Sequence, residues 1–195
     1  MVDDHVTDVT TWTLEMTSPD QLRPGREPTG GDVAIVRAHE PSPEYSRFLY
    51  TAVGGDWYWL DRLSWDRDRW MAWLDRPELA TWVLTVRGTP AGYVELEAQP
   101  HGDVEIAYFG LLPTFTGRGL GGHLLSEGIR NAWARGGAWA CGTGPAQRVW
   151  VHTCTLDGPH ALANYQARGM RVIAEVTEPQ ALPATPPGPW PGHSG

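Results

Sequence analysis

Two hydrophobic periodicities alternate along the chain. Between Thr10 and Met16, Trp12, Leu14 and Met16 recur at every second position, and Asp32 to Ala38 carries the β-rich run Val33-Ala34-Ile35-Val36. Both predict strands, separated by a Pro/Gly loop. The period then lengthens. Ser42-Pro43-Glu44 sets a capping hydroxyl, a first-turn Pro and a first-turn acid ahead of Tyr45, Phe48, Leu49 and Ala52, which predicts a helix ending at Gly54-Gly55. Ser64 is the expected cap of a second helix, with Trp70, Trp73 and Leu74 as its apolar stripe up to Arg76-Pro77. Three strand-like runs follow, Thr81 to Arg87, Ala91 to Ala98 and Asp103 to Leu112, joined by links short enough to imply an antiparallel meander. Gly117-Arg118-Gly119-Leu120-Gly121-Gly122 opens a helix through Leu124, Leu125, Ile129 and Trp133, with Gly136-Gly137 as its stop. A strand from Arg148 to Thr155, a short helix from Pro159 to Arg168 stopped by Gly169, and a last strand from Met170 to Thr177 complete the pattern. The order β-β-α-α-β-β-β-α-β-α-β predicts a mixed α/β fold, a mostly antiparallel central sheet flanked by helices.

Composition narrows the class. At 195 residues, 41% hydrophobic and 19% charged, the chain is large and apolar enough for one folded domain. We expect a flexible N-terminus over 1–9, a single domain over 10–177 and a Pro-rich flexible tail over 178–195, where six prolines argue against a helix or central strand. A net charge of −8 disfavours nucleic acid as a partner. No apolar run is long enough to span a membrane, and Met1 to His5 lacks the pattern of a secretory signal, so a soluble, cytoplasmic protein is expected. All basic residues are Arg, which leaves no internal ε-amine for Schiff-base chemistry. Cys141 and Cys154 read as free thiols, and no histidine pair has metal-ligand spacing, so no metal is expected. The oligomeric state is open, a homodimer included.

The segment 103–135 carries the clearest chemistry. A helix N-terminus offers unpaired N–H groups and a positive dipole end, and glycines let a bulky anion reach the backbone, so a phosphate or pyrophosphate is the natural ligand, with Arg118 as a cationic contact. Gly117, Gly119 and Gly122 formally match the dinucleotide fingerprint G-x-G-x-x-G. That motif belongs in a βαβ unit with an acid about 20 residues on. Here a meander precedes it, and 136–147 contains no Asp or Glu. A P-loop would need a Lys.

Thr116-Gly117-Arg118-Gly119-Leu120-Gly121 resembles the pyrophosphate loop [QR]-x-x-G-x-[GA] of the GNAT acetyltransferase superfamily, with Thr116 where Gln or Arg is usual. Phe109-Gly110-Leu111-Leu112-Pro113 is similar to the strand that pairs with the pantetheine arm in that family. Asn164-Tyr165-Gln166-Ala167-Arg168-Gly169-Met170 resembles its closing Y-x-x-x-G-F segment. The resemblance spans about residues 30–177 and implies acetyl transfer from acetyl-coenzyme A to a primary amine by direct attack in a ternary complex. It implies donor binding by Phe109, Gly110, Leu111, Leu112, Gly117, Arg118, Gly119, Leu120, Gly121, Gly122 and Asn164.

The same resemblance places Tyr165 as the acid that protonates the departing thiolate and Glu105 as the base, with Glu95, His152 or water as alternatives. Cys154 has no obvious base to make it a nucleophile. Trp57, Tyr58, Trp59, Asp61, Arg62 and Trp65 crowd the link that roofs the acceptor site in similar enzymes. Of these, Trp57, Trp59, Asp61 and Trp65, together with His152, are the expected acceptor contacts, and aromatic faces beside Asp56 and Asp61 suit an organic cation. A small aromatic or hydrophobic amine is the leading acceptor. Peptide or protein amines, a non-catalytic acyl-coenzyme A-binding module, and a nicotinamide-dependent oxidoreductase are the competing readings.

Overall fold

The computed structural model describes residues 4–30, 32–135, 139–140 and 144–190. Among the described residues the alternating segments form seven strands: β1 (Asp4–Met16), β2 (Val33–Ala38), β3 (Leu79–Val86), β4 (Thr89–Ala98), β5 (Asp103–Leu111), β6 (Arg148–Cys154) and β7 (Arg171–Pro183). They make one sheet in the order β2-β3-β4-β5-β6-β1-β7. Every neighbouring pair is antiparallel except β5 and β6. The α-helices with bounds among the described residues are α1 (Pro43–Gly54), α2 (Arg67–Leu74), α3 (Leu120–Trp133) and α4 (Ala161–Ala167).

Alternation along the central strands divides the core between two faces. Trp82, Leu84, Val94, Leu96, Val104 and Ile106 pack with Leu124, Leu125 and Ile129 of α3 and with Tyr165 of α4. Val83 and Tyr93 point the other way, onto Leu49 and Val53 of α1. Covered on both sides, β3 loses the polar alternation of a half-exposed strand and is buried from Leu79 to Leu84.

Three expectations change. The second helix is capped by Asp66, not Ser64, with the Asp66 carboxylate accepting from the Arg69 N–H at 2.8 Å. The β1–β7 ladder runs past both limits read from the sequence, from Asp4↔Pro183 through Asp8↔Pro179. Because β7 is an edge strand, a proline nitrogen on its outer side forfeits no ladder bond, and the even spacing of Pro179 and Pro183 puts both on one side. The segment expected as a flexible tail also docks: Leu182 is buried, and the Gly188 N–H donates to the Gly55 carbonyl at 2.9 Å. The Gly136-Gly137 stop and Cys141 lie outside the described residues. No helix among the described residues is long and apolar enough to cross a membrane.

Two irregularities shape the site. On β5, Ile106 pairs with Leu96 and Tyr108 with Glu95, so Ala107 is an extra residue, a bulge that turns the strand. The parallel β5–β6 pairing covers only Asp103 to Glu105 against Arg148 to Trp150. Beyond it the two strands separate.

Candidate active site

A cleft of about 1030 Å³ opens where β5 and β6 part. Ile106 to Leu111 line one wall, Val151, His152 and Cys154 the opposite one, and α4 with the glycine turn closes an end. Cavities of this order hold cofactor-sized ligands.

At the glycine end, Gly117 and Gly119 adopt φ +73° and +76°, the left-handed region that glycine enters without strain, and no atom lies within 4 Å of where a Cβ would stand on either. Gly119 is the N-cap of α3, so the N–H groups of the following turn have no intrahelical acceptor. A Cβ on Gly121 would stand 3.6 Å from Leu111 Cδ1 and 3.8 Å from Asn164 Nδ2, ordinary contact distances. The open space, unpaired donors and positive helix end fit a pyrophosphate, the group the sequence resemblance implies. Gly117, Gly119, Gly121, Gly122, Phe109, Gly110, Leu111 and Asn164 all line the cleft. Three expected contacts do not. Arg118 is exposed with its guanidinium over the Phe115 ring, the Leu120 side chain is buried in the core, and Leu112 packs against the α1 cluster. For Leu120 a backbone contact from the first turn of α3 remains available.

Tyr165 lines the cleft and stands edge-on to Phe109 with ring centroids 5.9 Å apart. Burial pushes its phenol well above the ordinary value, with the Asp157 charge adding to the effect, so the hydroxyl keeps its proton. Among the described residues no hydrogen bond holds that hydroxyl.

Glu105 does not line the cleft; His152 does. His152 Nδ1 is 3.3 Å from Glu105 Oε1, with the carboxylate mostly covered at 13% exposure. The hydrogen bond to Glu105 holds the imidazole pKa above its ordinary value against partial desolvation, and the charges of Glu105, Asp157 and Asp61 add to it. A carboxylate at Nδ1 favours the tautomer protonated there, which leaves Nε2 as the acceptor. Gln99 secures the carboxylate from behind, its Nε2 donating to Glu105 Oε2 at 2.8 Å while its Oε1 accepts from the Trp150 indole at 3.1 Å. The expected base is therefore one side chain removed from the cleft, and the alternative base occupies it.

Glu95 is excluded by its surroundings: it is 2% exposed, pairs with Arg62 at 2.8 Å and accepts from the Trp73 indole at 3.1 Å. Trp65 belongs to that same assembly. The Arg62 guanidinium lies over the Trp65, Trp73 and Tyr108 rings at 4.9, 4.3 and 4.2 Å, and Trp65 does not reach the cleft. Trp57, Trp59 and Asp61 do line it, with the Tyr108 hydroxyl donating to Asp61. The Cys154 thiol is pushed up by burial and then by Asp157, the reverse of what a nucleophile needs.

Sequence reasoning missed Tyr108, Asp157 and Arg168, all of which line the cleft. Asp157 accepts from Thr153 Oγ1 at 2.6 Å and from the Cys154 N–H at 3.0 Å, tying off the end of β6. The Asp157-Gly158 pair directly after a strand is a turn signal that marks this corner.

The sequence pattern of the Acetyltransferase (GNAT) family matches residues 42–170. No curated protein matches the chain. Among solved structures, a GCN5-related N-acetyltransferase from Kribbella flavida superposes with a TM-score of 0.60 at 19% identity over 87% of this chain and 57% of its own. One from Sphaerobacter thermophilus gives 0.60 at 18% identity over 91% and 53%. The chain thus spans just over half the length of these two. An aminoglycoside acetyltransferase from an uncultured soil metagenomic sample, in complex with trehalose, gives 0.55 at 14% identity over 70% and 86%.

Proposed function

This chain belongs to the acetyltransferase (GNAT) family, and on that premise we propose that it moves the acetyl group of acetyl-coenzyme A to the primary amine of a small molecule with an aromatic or hydrophobic body. When bound, the donor supplies an acetyl thioester, an activated acyl group whose transfer to nitrogen releases a thiolate. Gly117 to Gly122 would hold its pyrophosphate, and the unpaired edge of β5 from Phe109 to Leu111 its pantetheine arm. Backbone N–H groups on that edge are the donors available to a thioester carbonyl.

The observation that carries this proposal is the placement of His152 and Tyr165 in one cleft between separated strands. An ammonium must lose a proton before its nitrogen can form the C–N bond, and His152 Nε2 accepts it, with Glu105 stabilising the resulting imidazolium through Nδ1. As the C–S bond breaks, the neutral Tyr165 hydroxyl gives its proton to sulfur, and the second proton that the nitrogen sheds on becoming an amide restores that hydroxyl. Asp61, and the rings of Trp57 and Trp59, supply charge and π-faces for a cationic amine entering beside His152. A panel of primary amines incubated with acetyl-coenzyme A tests the proposal through coenzyme A release. Aromatic and hydrophobic amines should turn over fastest. Activity confined to peptide amines would shift the acceptor class, and tight donor binding without turnover of any amine would leave a binding module.

A further inference from the structure

Beside the glycine cradle sits a cation with no anionic partner among the described residues. The Arg168 guanidinium lines the cleft at the end of α4 and lies so close over the first turn of α3 that a Cβ on Gly122 would stand 2.3 Å from its Nη1. Its bonds go to neutral oxygens: Nε donates to the Arg23 carbonyl at 2.9 Å and Nη1 to Asn164 Oδ1 at 3.2 Å. Among the described residues Arg62, Arg67, Arg76, Arg87, Arg130, Arg148 and Arg171 pair with carboxylates; Arg168 does not, and unlike Arg23, Arg26, Arg47, Arg69 and Arg118, which also pair with none but are exposed, it is half-buried. In a chain of net charge −8, a half-buried guanidinium that pairs with no carboxylate among the described residues is a candidate contact for an anion from outside.

The surroundings fix it there. The Arg23 N–H donates back to the Arg168 carbonyl at 2.9 Å, and the Gly25 N–H donates to Ser126 Oγ at 2.8 Å, which itself donates to the Gly122 carbonyl at 2.7 Å. Gly25 lies against Gly122 so closely that a Cβ on it would meet the Gly122 carbonyl at 2.5 Å. The 22–25 strap thus ties Arg168 and the first turn of α3 into one rigid unit. We propose that Arg168 binds the donor's pyrophosphate, supplying from α4 the cationic contact that exposed Arg118 does not provide. Two donors are already engaged, and the remaining N–H groups of a five-donor fork are free for phosphate oxygens. This inference rests on the acyl-coenzyme A reading of the cleft.

Calorimetry on the folded full chain tests it with three probes: coenzyme A, dephospho-coenzyme A, which keeps the pyrophosphate and lacks the ribose phosphate, and pantetheine, which has neither and is followed by NMR titration. Arg168→Met, which keeps an apolar stem, should weaken the first two by the same factor, about ten- to one-hundred-fold, and leave pantetheine unchanged. Arg168→Lys, which keeps charge without the fork, should fall between. Unchanged coenzyme A affinity in Arg168→Met overturns the proposal. So does a loss for coenzyme A that spares dephospho-coenzyme A, which would move the contact to the ribose phosphate, and so does an equal loss for all three probes, which would make Arg168 a brace for the strap. If the unaltered chain binds no coenzyme A, the donor reading itself fails and takes this inference with it.

Discussion

Replacing Glu105 with Gln keeps the shape of the side chain and removes the charge that faces His152, so it isolates electrostatics from packing. The Gln99 amide retains an acceptor in the new side chain. At the 3.3 Å separation of His152 and Glu105, two unit charges attract by about 5 kcal/mol at an effective dielectric near 20 and by about 1.3 kcal/mol in water. With 56% of the His152 side chain exposed, the screened value applies, about 1 kcal/mol. About 1.4 kcal/mol corresponds to one pH unit, so the imidazole of Glu105→Gln should titrate somewhat under one unit lower. Protonated His152 cannot serve as base, so the acidic limb of kcat/KM should move to lower pH by that amount, with a lower plateau because the tautomer is less firmly held. Stability should move with it. A histidine pKa raised in the folded state contributes stability below the unfolded value near 6.5 and loses it as pH rises through the raised value. Glu105→Gln should therefore melt lower at about pH 5.5 and unchanged at about pH 8.5. NMR titration of the His152 ring and a pH series of coenzyme A release read both effects. An imidazole that titrates unchanged, or higher, in the variant would refute the pairing.

Three further outcomes follow from named contacts. Tyr165→Phe keeps the ring against Phe109 and removes the proton, so kcat should fall by about 10² to 10⁴ with donor affinity and melting temperature nearly unchanged; full turnover in single-turnover assays would assign the acid elsewhere. Gly121→Val, at a position with ordinary helical backbone and 3.6 Å of clearance to Leu111, should fold and lose coenzyme A binding by calorimetry. Trp57→Ala should raise the acceptor KM and spare stability, whereas Trp65→Ala, which strips a ring from the Arg62 assembly, should leave KM unchanged and cost about 3 kcal/mol or more by denaturant unfolding.

The glycine turn and the Tyr165 segment are legible in sequence because each depends on local rules. Glycines at a helix start and a closing helix before a glycine stop carry their geometry with them. Residues whose roles are set by what crosses them in space are not legible in the same way. Strand alternation puts Glu105 on one of two faces, but not behind a histidine from a strand forty-seven positions later, and the Ala107 bulge shifts the side-chain phase between Glu105 and Tyr108. Trp57 and Trp65 look alike as aromatic residues of one link. Only the position of Arg62, buried against Glu95, decides that Trp65 belongs to it and Trp57 to the cleft. Ser64 and Asp66 are both good caps, and hydrogen-bond geometry selects Asp66. The prolines of β7 read as a strand's end until edge placement makes them harmless.

In the proposed reaction one cleft binds an acyl donor and delivers its acyl group to nitrogen. Mass spectrometry of a reaction holding the chain, acetyl-coenzyme A and a primary aromatic amine tests it most directly. N-acetylated amine and free coenzyme A should appear in equal amounts, both abolished by Gly121→Val. Coenzyme A bound tightly in the cleft with no acetylated product from any amine, at any pH where His152 is neutral, would contradict it.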